Sequence, residues 1–376
     1  MKVITTVGTS IYNNINHKLA DNINRNWDTL RDNQTPYSLI ENRKGTINGI
    51  KDAIKQKWSN DTNTSAEIAS LIQIQQELNC SIEVYLIATE TIHSHLCAEL
   101  IQDWFKKFPQ ENISILPTIK VIQGLQVRDK SLFEKEGIVH LIEELNSIAQ
   151  NGNYWDDCVF NITGGYKAII PFMTILAQIK KRPLYYIFEE GDNDKYELIE
   201  IPKSPLSFDS SFFDDYWEVF QELESQVISR NELQHDFVER AESCLYTIEN
   251  DCCLNSLGNM LWTDYKSKFF IFYCPDDVWN NIEKQQHIIS ILSGKFKGYV
   301  LSKQKTEKKG DHLVYDDGNN NYRIYYFIND NSIYVYKTFE NEEEARKFIS
   351  TAFKENERNN VLDDSKKRKI AFRSHD

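Results

Sequence analysis

The fold is decided by one stretch, residues 158–168, with the sequence Cys158-Val159-Phe160-Asn161-Ile162-Thr163-Gly164-Gly165-Tyr166-Lys167-Ala168. This stretch predicts an apolar strand, a Gly-Gly turn and the start of a helix. Two glycines at a strand end let the backbone take positive φ and approach a ligand closely, and the N-terminus of a helix presents unpaired N–H groups to negative charge. The stretch therefore predicts a phosphate-binding turn, although Gly-Gly is also ordinary turn chemistry.

A second turn of the same kind lies near the N-terminus. The apolar strand of residues 2–7 ends in Gly8-Thr9-Ser10. Open α/β sheets bind ligands at the carboxyl ends of their strands, so we expect the two turns to line one site. Strands alternate with helices as far as residue 202, which predicts an α/β fold with a mostly parallel, doubly wound sheet. The polar, Asn-rich residues 13–65 are expected to form helices and a surface excursion.

Three motifs together resemble the CRISPR-associated Rossmann fold (CARF) family, whose domains sense cyclic oligoadenylates. They are Thr6-Val7-Gly8-Thr9-Ser10, Leu86-Ile87-Ala88-Thr89-Glu90 and Asn161-Ile162-Thr163-Gly164-Gly165-Tyr166-Lys167. The segments Val121–Leu125 and Phe133–Ile138 resemble a later βα connection of the same family. The resemblance implies a CARF sensor over residues 1–203 and a homodimer formed through it. A two-fold dimer offers two equivalent half-sites, which favours cyclic tetra-adenylate as the allosteric ligand. The residues expected to bind it are Thr6, Gly8, Thr9, Ser10, Thr89, Thr163, Gly164, Gly165 and Lys167.

Composition narrows the class of protein. The 376 residues are 41% hydrophobic and 26% charged, which is typical of a soluble protein of two or three domains. The longest apolar runs are shorter than the ~20 residues that cross a bilayer, so we expect a cytoplasmic location and no membrane partner. The seven cysteines include no C-x-x-C pair, which predicts reduced, mostly buried thiols and no metal site.

Charge is distributed unevenly along the chain. The net charge is −13, but residues 266–376 carry 20 Lys and Arg against 17 Asp and Glu, a net charge of +3. This asymmetry indicates that the C-terminal part meets a polyanion. The Pro- and Ser-containing residues 202–215 predict a domain boundary, and the helical spacing from Trp217 to Met260 predicts a helical connector over residues 204–262.

One motif within the connector suggests a nuclease. Arg230-Asn231-Glu232-Leu233-Gln234-His235 resembles the Arg-Asn-x-x-x-His motif of HEPN ribonucleases, which are often fused to CARF sensors. The resemblance implies that Arg230 and His235 of two protomers activate a ribose 2′-hydroxyl. A HEPN domain is a helical bundle, however, and the residues that follow are rich in strand patterns. A solvated helix face that carries Arg230 and His235 at positions i and i+5 is the favoured explanation of the same two residues.

The C-terminal part, residues 263–376, has a resemblance of its own. A strand over Phe269–Tyr273, two helices through Leu292 and a strand meander that includes residues 321–337 look like the RelE/HigB toxin fold. The expected meander strands are Phe296–Leu301, Asp311–Asp316, Tyr322–Asn329 and Ser332–Phe339. Those toxins are ribonucleases that cut messenger RNA in the ribosomal decoding site. The resemblance implies an α+β ribonuclease domain with an antiparallel sheet, and the tyrosines of the meander are expected to pack within that sheet.

Metal-independent cleavage of RNA through its own 2′-hydroxyl requires a group that removes that proton, cations that stabilise charge on phosphorus, and an acid for the leaving oxygen. Arg323 matches the phosphate-contacting arginine of the toxin family, and we expect no cofactor. The other candidates for catalysis are His312, Lys308, Lys309 and Lys337. The candidates for RNA binding are Lys303, Lys305, Lys367, Arg368 and Arg373.

Several alternatives stay open at this level. The loop lysines also fit a solvated surface, and the tail from Lys366 fits disorder or generic attraction to RNA. The acidic run after Phe339 departs from the toxin pattern and predicts a helix cap, so the general acid or base is His312, His375 or a tyrosine. The expected partners are RNA, chiefly ribosome-bound mRNA, and the cyclic ligand. The alternatives are a HEPN-type ribonuclease acting on free RNA and a ligand-sensing regulator without catalysis.

Overall fold

A computed structural model describes residues 1–32, 37–126, 128–149, 155–190, 195–203, 209–296, 303–316, 318 and 320–372. The chain divides into two units, Met1–Asp264 and Tyr265–Asp376. The predicted sensor and connector segments both fall within the first unit. Among the described residues, no helix is long and apolar enough to cross a membrane.

The first unit is built on a seven-stranded sheet. Its strands are β1 (Lys2–Thr6), β2 (Ile82–Thr89), β3 (Ile113–Ile115), β4 (Lys120–Ile122), β5 (Cys158–Asn161), β6 (Leu184–Glu190) and β7 (Lys195–Ile201). The order is β3-β2-β1-β5-β6-β7, and β4 also pairs with β2. All pairs are parallel except that of β6 with β7. The predicted α/β fold is therefore confirmed.

Helices follow the strands in the alternation that a parallel sheet requires. They are α1 (Ser10–Asn13), α2 (Asp21–Asp32), α3 (Lys44–Lys55), α4 (Ala66–Leu78), α5 (Ile92–Lys107), α6 (Lys130–Leu132), α7 (Ile138–Ile148), α8 (Ile170–Ile179), α9 (Ser211–Asp215), α10 (Trp217–Ser225), α11 (His235–Ala241) and α12 (Ser256–Lys266). The polar stretch after α1 is helical as predicted, but it is not simply a surface excursion. Trp27, Ile50 and Ile54 are buried in the core that also contains Val3 and Val84 of the sheet.

The central strands are buried on both faces, as parallel strands usually are. Val3 of β1 and Val159 of β5 pack in the core beneath α1–α5. Their neighbours Ile4 and Phe160 point to the opposite face, since successive side chains alternate, and are also fully buried. With both faces covered, the ends of the strands are the exposed parts where a ligand can approach.

The connector is helical only in part. Helices α10, α11 and α12 follow the predicted spacing, but the residues between them form a three-stranded antiparallel sheet of order β8-β10-β9. Its strands are β8 (Ile228–Ser229), β9 (Leu245–Ile248) and β10 (Asp251–Leu254). Aromatic packing of Phe213, Phe220 and Trp262 joins α9, α10 and α12.

The second unit has the predicted order of one strand, two helices and a meander. Its elements are β11 (Phe269–Pro275), α13 (Asp276–Ile282), α14 (Gln286–Lys295), β12 (Thr306–Lys309), β13 (His312–Tyr315), β14 (Arg323–Asn329), β15 (Ser332–Phe339), α15 (Glu342–Ile349), α16 (Glu355–Asp364) and β16 (Ser365–Ala371). The strands form one sheet of order β12-β13-β14-β15-β11-β16. Its pairs are antiparallel except β11 with β15.

Three local predictions from the sequence concern this unit: a helix cap at the acidic run, disorder of the tail and a strand from Phe296. The acidic run caps α15, because the Asn341 side chain accepts a hydrogen bond from the N–H of Glu343 at 2.9 Å. The expected disorder of the tail is wrong for residues 365–371, which form β16 against β11. The strand expected over Phe296–Leu301 lies, from residue 297 onward, outside the described residues.

Candidate functional site

The two glycine turns meet at the carboxyl ends of β1 and β5, which are adjacent parallel strands. A Cβ atom added to Gly8 would lie 2.7 Å from the backbone nitrogen of Gly165. Gly165 has a φ of +102°, and a Cβ there would lie 2.9 Å from the Cβ of Thr6. Only glycine allows this approach, so the sequence correctly predicted that the two turns lie together.

A cavity of about 540 Å³ opens beside the paired turns. Gly8, Thr9, Thr89 and Gly165 line it, and all four are among the residues expected to bind a ligand. The volume lies within the range of about 300–1,000 Å³ that is usual for small-molecule sites. The cavity therefore occupies the place where an open α/β sheet binds its ligand.

The first turn of α5 forms one wall of this cavity. Thr91 caps the helix, and its side-chain oxygen accepts a hydrogen bond from the N–H of Ser94 at 3.3 Å. The hydroxyl of Ser94 donates to the carbonyl of Val7 at 3.0 Å and accepts from the N–H of Thr89 at 3.1 Å. These bonds fix the helix to the ends of β1 and β2, and its N-terminal dipole favours negative charge in the cavity.

An aromatic group forms a second wall, which the sequence did not predict. The ring of Trp27 stacks on Tyr12 with a centroid distance of 3.8 Å, and the carbonyl of Trp27 is 2.9 Å from Nε2 of His93. Trp27 and His93 both line the cavity. Neither residue belongs to one of the sequence motifs, so only the packing of α2 against α5 reveals them.

Polar side chains from the loop after β4 complete the lining. Glu90 accepts hydrogen bonds through Oε2 from the N–H of Gly124 at 2.8 Å and from the side chain of Gln126 at 3.1 Å. Gln126 and the exposed Arg128 line the cavity together with Glu90. Among the described residues, the lining therefore contains the guanidinium of Arg128 and the carboxylate of Glu90. Arg128 also escaped sequence analysis, because nothing in the loop sequence marks it.

Four residues of the expected ligand set are used differently. Thr6 is buried, and its hydroxyl donates to the carbonyl of Gly164. The hydroxyl of Thr163 donates to Asn161 at 2.7 Å and accepts from the N–H of Ile187 at 3.1 Å. The hydroxyl of Ser10 donates to a carboxylate of α4. Lys167 is exposed and does not line the cavity. Thr6, Thr163 and Ser10 thus shape the turns from within. Gly164, a fifth member of the expected set, does not line the cavity and lies against a carboxylate of α4.

In the second unit, Arg323 and Lys309 lie together but among carboxylates. The guanidinium of Arg323, whose side chain is 8% exposed, is 3.1 Å from Asp316 and 3.8 Å from Glu342. Lys309 is 2.5 Å from Asp316, and this hydrogen bond is the main cause that raises the pKa of Lys309. Lys309, Arg323 and Glu342 line a cavity of about 180 Å³ under α15. The two cations are therefore neutralised within the protein.

His312 lies in the core of the second unit and is 0% exposed. Its Nδ1 is 2.8 Å from the hydroxyl of Tyr336, and its Nε2 is 3.0 Å from the carbonyl of Thr351. Burial raises the pKa of Tyr336, so this hydroxyl keeps its proton. Both ring nitrogens are engaged, and in this arrangement His312 cannot reach an RNA. Its place as the first choice for acid or base is not supported, since alternation on β13 directs it inward.

The remaining candidate cations occupy varied places. Lys303, Lys305 and Lys308 are exposed, and Lys337 is half-buried with its ammonium 5.9 Å from the ring of Phe339. Lys367 is half-buried on β16. Arg368 pairs with Asp276 and lies over the ring of Trp279 at 5.4 Å. Arg373 and His375 lie outside the described residues.

The HEPN-like motif does not lie on one helix. Arg230 is exposed in a 3₁₀ turn, and His235 begins α11 with its side chain 88% exposed and 3.7 Å from Glu239. The surrounding residues include the three-stranded sheet of β8, β9 and β10. The setting is therefore not the helical bundle that the HEPN resemblance implies.

Comparison with known proteins concerns mainly the first unit. Residues 62–204 match the family model described as CRISPR-associated protein (Cas_APE2256). The matched segment, less than half of the chain, includes β2, α5 and the turn at Gly164 and Gly165. No curated protein shows a significant match. Residues 62–204 are thus similar to a family of CRISPR-associated proteins.

Proposed function

We propose that the protein is a cyclic-oligoadenylate-activated ribonuclease of CRISPR antiviral defence. In this proposal, the cavity of the first unit binds cyclic tetra-adenylate in a homodimer, and the second unit cleaves mRNA on the ribosome. The single observation that carries the sensing half is the cavity where the turns of β1 and β5 meet the N-terminus of α5. The match of residues 62–204 to a CRISPR-associated family supports the biological setting.

The lining of the cavity suits a nucleotide. The N-terminus of α5 and Arg128 favour phosphate groups, and the buried Trp27 contributes an apolar part of the wall. A ring of four equivalent nucleotides presents the same chemistry to two protomers related by a two-fold axis. Each protomer would then contribute one such cavity to half of the ring.

The cleavage half rests on the element order of the second unit and on its cations. Exposed lysines at residues 303, 305 and 308 offer contacts to RNA phosphates. Arg323 would stabilise charge on phosphorus, but in this structure Asp316 and Glu342 neutralise it. Ligand binding would therefore have to favour a state in which Arg323 is released from Glu342 of α15.

The sensing half is tested by titrating the full-length protein with cyclic tetra-adenylate in a calorimeter. We expect Arg128→Ala to weaken binding at least tenfold, since the cavity loses its guanidinium. Arg25→Ala is the matched control, because Arg25 is an exposed arginine outside the cavity lining. Equal affinities of both variants, or no binding by the wild type, would contradict the proposal.

The cleavage half is tested with mRNA on translating ribosomes and with the same RNA free in solution. We expect cleavage that needs both the ligand and ribosomes, and that Arg323→Ala abolishes. Arg346→Ala is the control, because Arg346 lies on α15 with a side chain 72% exposed and also contacts Glu342. Ligand binding without any cleavage would instead support a regulator that acts without catalysis.

The HEPN-type alternative makes a different prediction for the same assay. Arg230 and His235 are both exposed, so they are accessible to RNA without rearrangement. In that case free RNA would be cleaved, and Arg230→Ala or His235→Ala would abolish the activity. If these two variants cleave ribosome-bound mRNA like the wild type, the HEPN-type alternative is excluded.

A further inference from the structure

A buried carboxylate lies between the two glycine turns, where the sequence led us to expect a ligand phosphate. It belongs to Glu67 in the first turn of α4, and this residue is 0% exposed. Acidic side chains are almost never fully buried without partners. The position of Glu67 beside a proposed site for an anion therefore calls for a physical explanation.

The contacts of Glu67 account for its burial. Its Oε1 accepts a hydrogen bond from the N–H of Gly8 at 2.8 Å. Its Oε2 accepts from the hydroxyl of Ser65 at 2.6 Å and from that of Ser10. Three donors satisfy most of the acceptor capacity of a carboxylate, and its place in the first turn of a 13-residue helix also favours negative charge.

The same carboxylate lies directly against the second turn. A Cβ atom added to Gly164 would be 1.9 Å from Oε1 of Glu67 and 2.6 Å from its Cδ. Glu67 thus contacts the Gly8 turn through hydrogen bonds and the Gly164 turn through van der Waals packing. These contacts set the distance between the two turns that line the cavity.

We propose that Glu67 is a positioning residue of the nucleotide cavity, whose carboxylate occupies the anion cradle of Gly8 and Ser10 in place of a ligand phosphate. The inference rests on the proposed sensing function and deepens it. Because the N–H of Gly8 is used by Glu67, the ligand's phosphates are received on the opposite wall, at Arg128 and the start of α5. The fixed negative charge of Glu67 also lowers the affinity for an anionic ligand.

The two roles can be separated by two substitutions. Glu67→Gln keeps the size of the side chain and an acceptor for the N–H of Gly8, but it removes the charge. Glu67→Ala removes the support of both turns. We expect Glu67→Gln to bind cyclic tetra-adenylate about two- to tenfold more tightly than the wild type, with the gain reduced by salt. We expect Glu67→Ala to bind at least tenfold more weakly.

The control is Glu77→Gln, which removes one charge from the exposed side of the same helix and should leave the affinity within twofold of the wild type. Hydrogen exchange of residues 8–10 and 163–165 without ligand gives a readout that does not depend on the proposed function. Protection of these amides should be kept in Glu67→Gln and lost in Glu67→Ala. Ser10→Ala removes one donor to the carboxylate and the acceptor of the Ala66 N–H. This variant serves if Glu67→Ala does not fold, and it should lose part of the protection.

Two outcomes would overturn the inference. One is a Glu67→Gln protein that binds as weakly as Glu67→Ala, and the other is unchanged exchange at both turns in Glu67→Ala. If the wild type does not bind cyclic tetra-adenylate, but protection of the two turns is kept in Glu67→Gln and lost in Glu67→Ala, only the proposed function is refuted. The inference that Glu67 positions the two turns would then still hold, because the exchange measurement is made without ligand.

Discussion

Substituting Gly164 with alanine probes the contact between the two turns with a single methyl group. The added Cβ would lie 1.9 Å from Oε1, 2.6 Å from Cδ and 2.8 Å from Cγ of Glu67. Real Cβ atoms do not approach heavy atoms so closely, so something must move. Glu67 is not the end of a flexible surface side chain, because it is fully buried and bonded to Gly8, Ser10 and Ser65.

The magnitude follows from what the displaced carboxylate loses. A hydrogen bond to a charged group contributes about 1.5–3 kcal/mol, and displacement breaks at least the bond to Gly8 and strains the others. We therefore expect a loss of about 3 kcal/mol in the free energy of unfolding of the first unit. For a unit of this size, that loss lowers the melting temperature by about 6–12 °C. Ligand binding should fall together with it, since the turns separate.

The assay compares the melting temperatures and cyclic tetra-adenylate affinities of Gly164→Ala and Gly49→Ala. Gly49 lies in the exposed interior of α3 with nothing within 4 Å of an added Cβ. Alanine there should raise stability by about 1 kcal/mol, because glycine is a poor helix former. If Gly164→Ala melts at or above the temperature of the wild type, the reasoning about Glu67 is refuted.

Three further predictions concern other parts of the chain. Arg323→Ala should lower the free energy of unfolding of the second unit by about 3 kcal/mol in urea titrations, because it leaves Asp316 nearly buried without its guanidinium. Burial raises the pKa of Asp316, but the ammonium of Lys309 and other donors outweigh it and hold the pKa below its usual value. The ionised Asp316 carboxylate therefore contributes fully to stability at neutral pH, and this contribution is lost as the pH falls below about 4. In acid titrations of stability, Asp316→Asn should lack this loss. In thiol labelling of the native protein, the half-buried Cys253 should react before the buried Cys97, since burial raises the pKa of the Cys97 thiol well above its usual value.

These predictions have their own controls. Lys308→Ala changes an exposed side chain of the same sheet and should alter stability by no more than about 0.5 kcal/mol. An Arg323→Ala protein as stable as Lys308→Ala would show that the ion pair contributes nothing. An acid transition identical in wild type and Asp316→Asn, or labelling of Cys97 before Cys253, would contradict the other two.

The sequence by itself determined the framework of the first unit. The apolar strands β1, β2 and β5, of four to eight residues, have threonine or glycine at or just after their ends. They predict a parallel sheet that brings Gly8 and Gly165 to one edge. The physical reason is local, since the period of the side chains and the freedom of glycine are properties of adjacent residues. The first strand, the two helices and strands β13 to β15 of the second unit followed in the same way, whereas β12, α16 and β16 were not predicted.

Tertiary structure decided which side chains face the cavity and which are paired or hydrogen-bonded inside the protein. Trp27 and Arg128 reach the cavity because α2 and the loop after β4 pack beside α5, and no local pattern encodes that approach. Glu67 fills the cradle of Gly8 from a helix that begins far along the chain. Arg323 and His312 are of the residue types that catalysis requires. In the folded protein, however, Glu342 of α15 pairs with Arg323 and the hydroxyl of Tyr336 bonds to His312. Burial and pairing depend on residues distant in sequence, and for that reason they could not be predicted from the motifs.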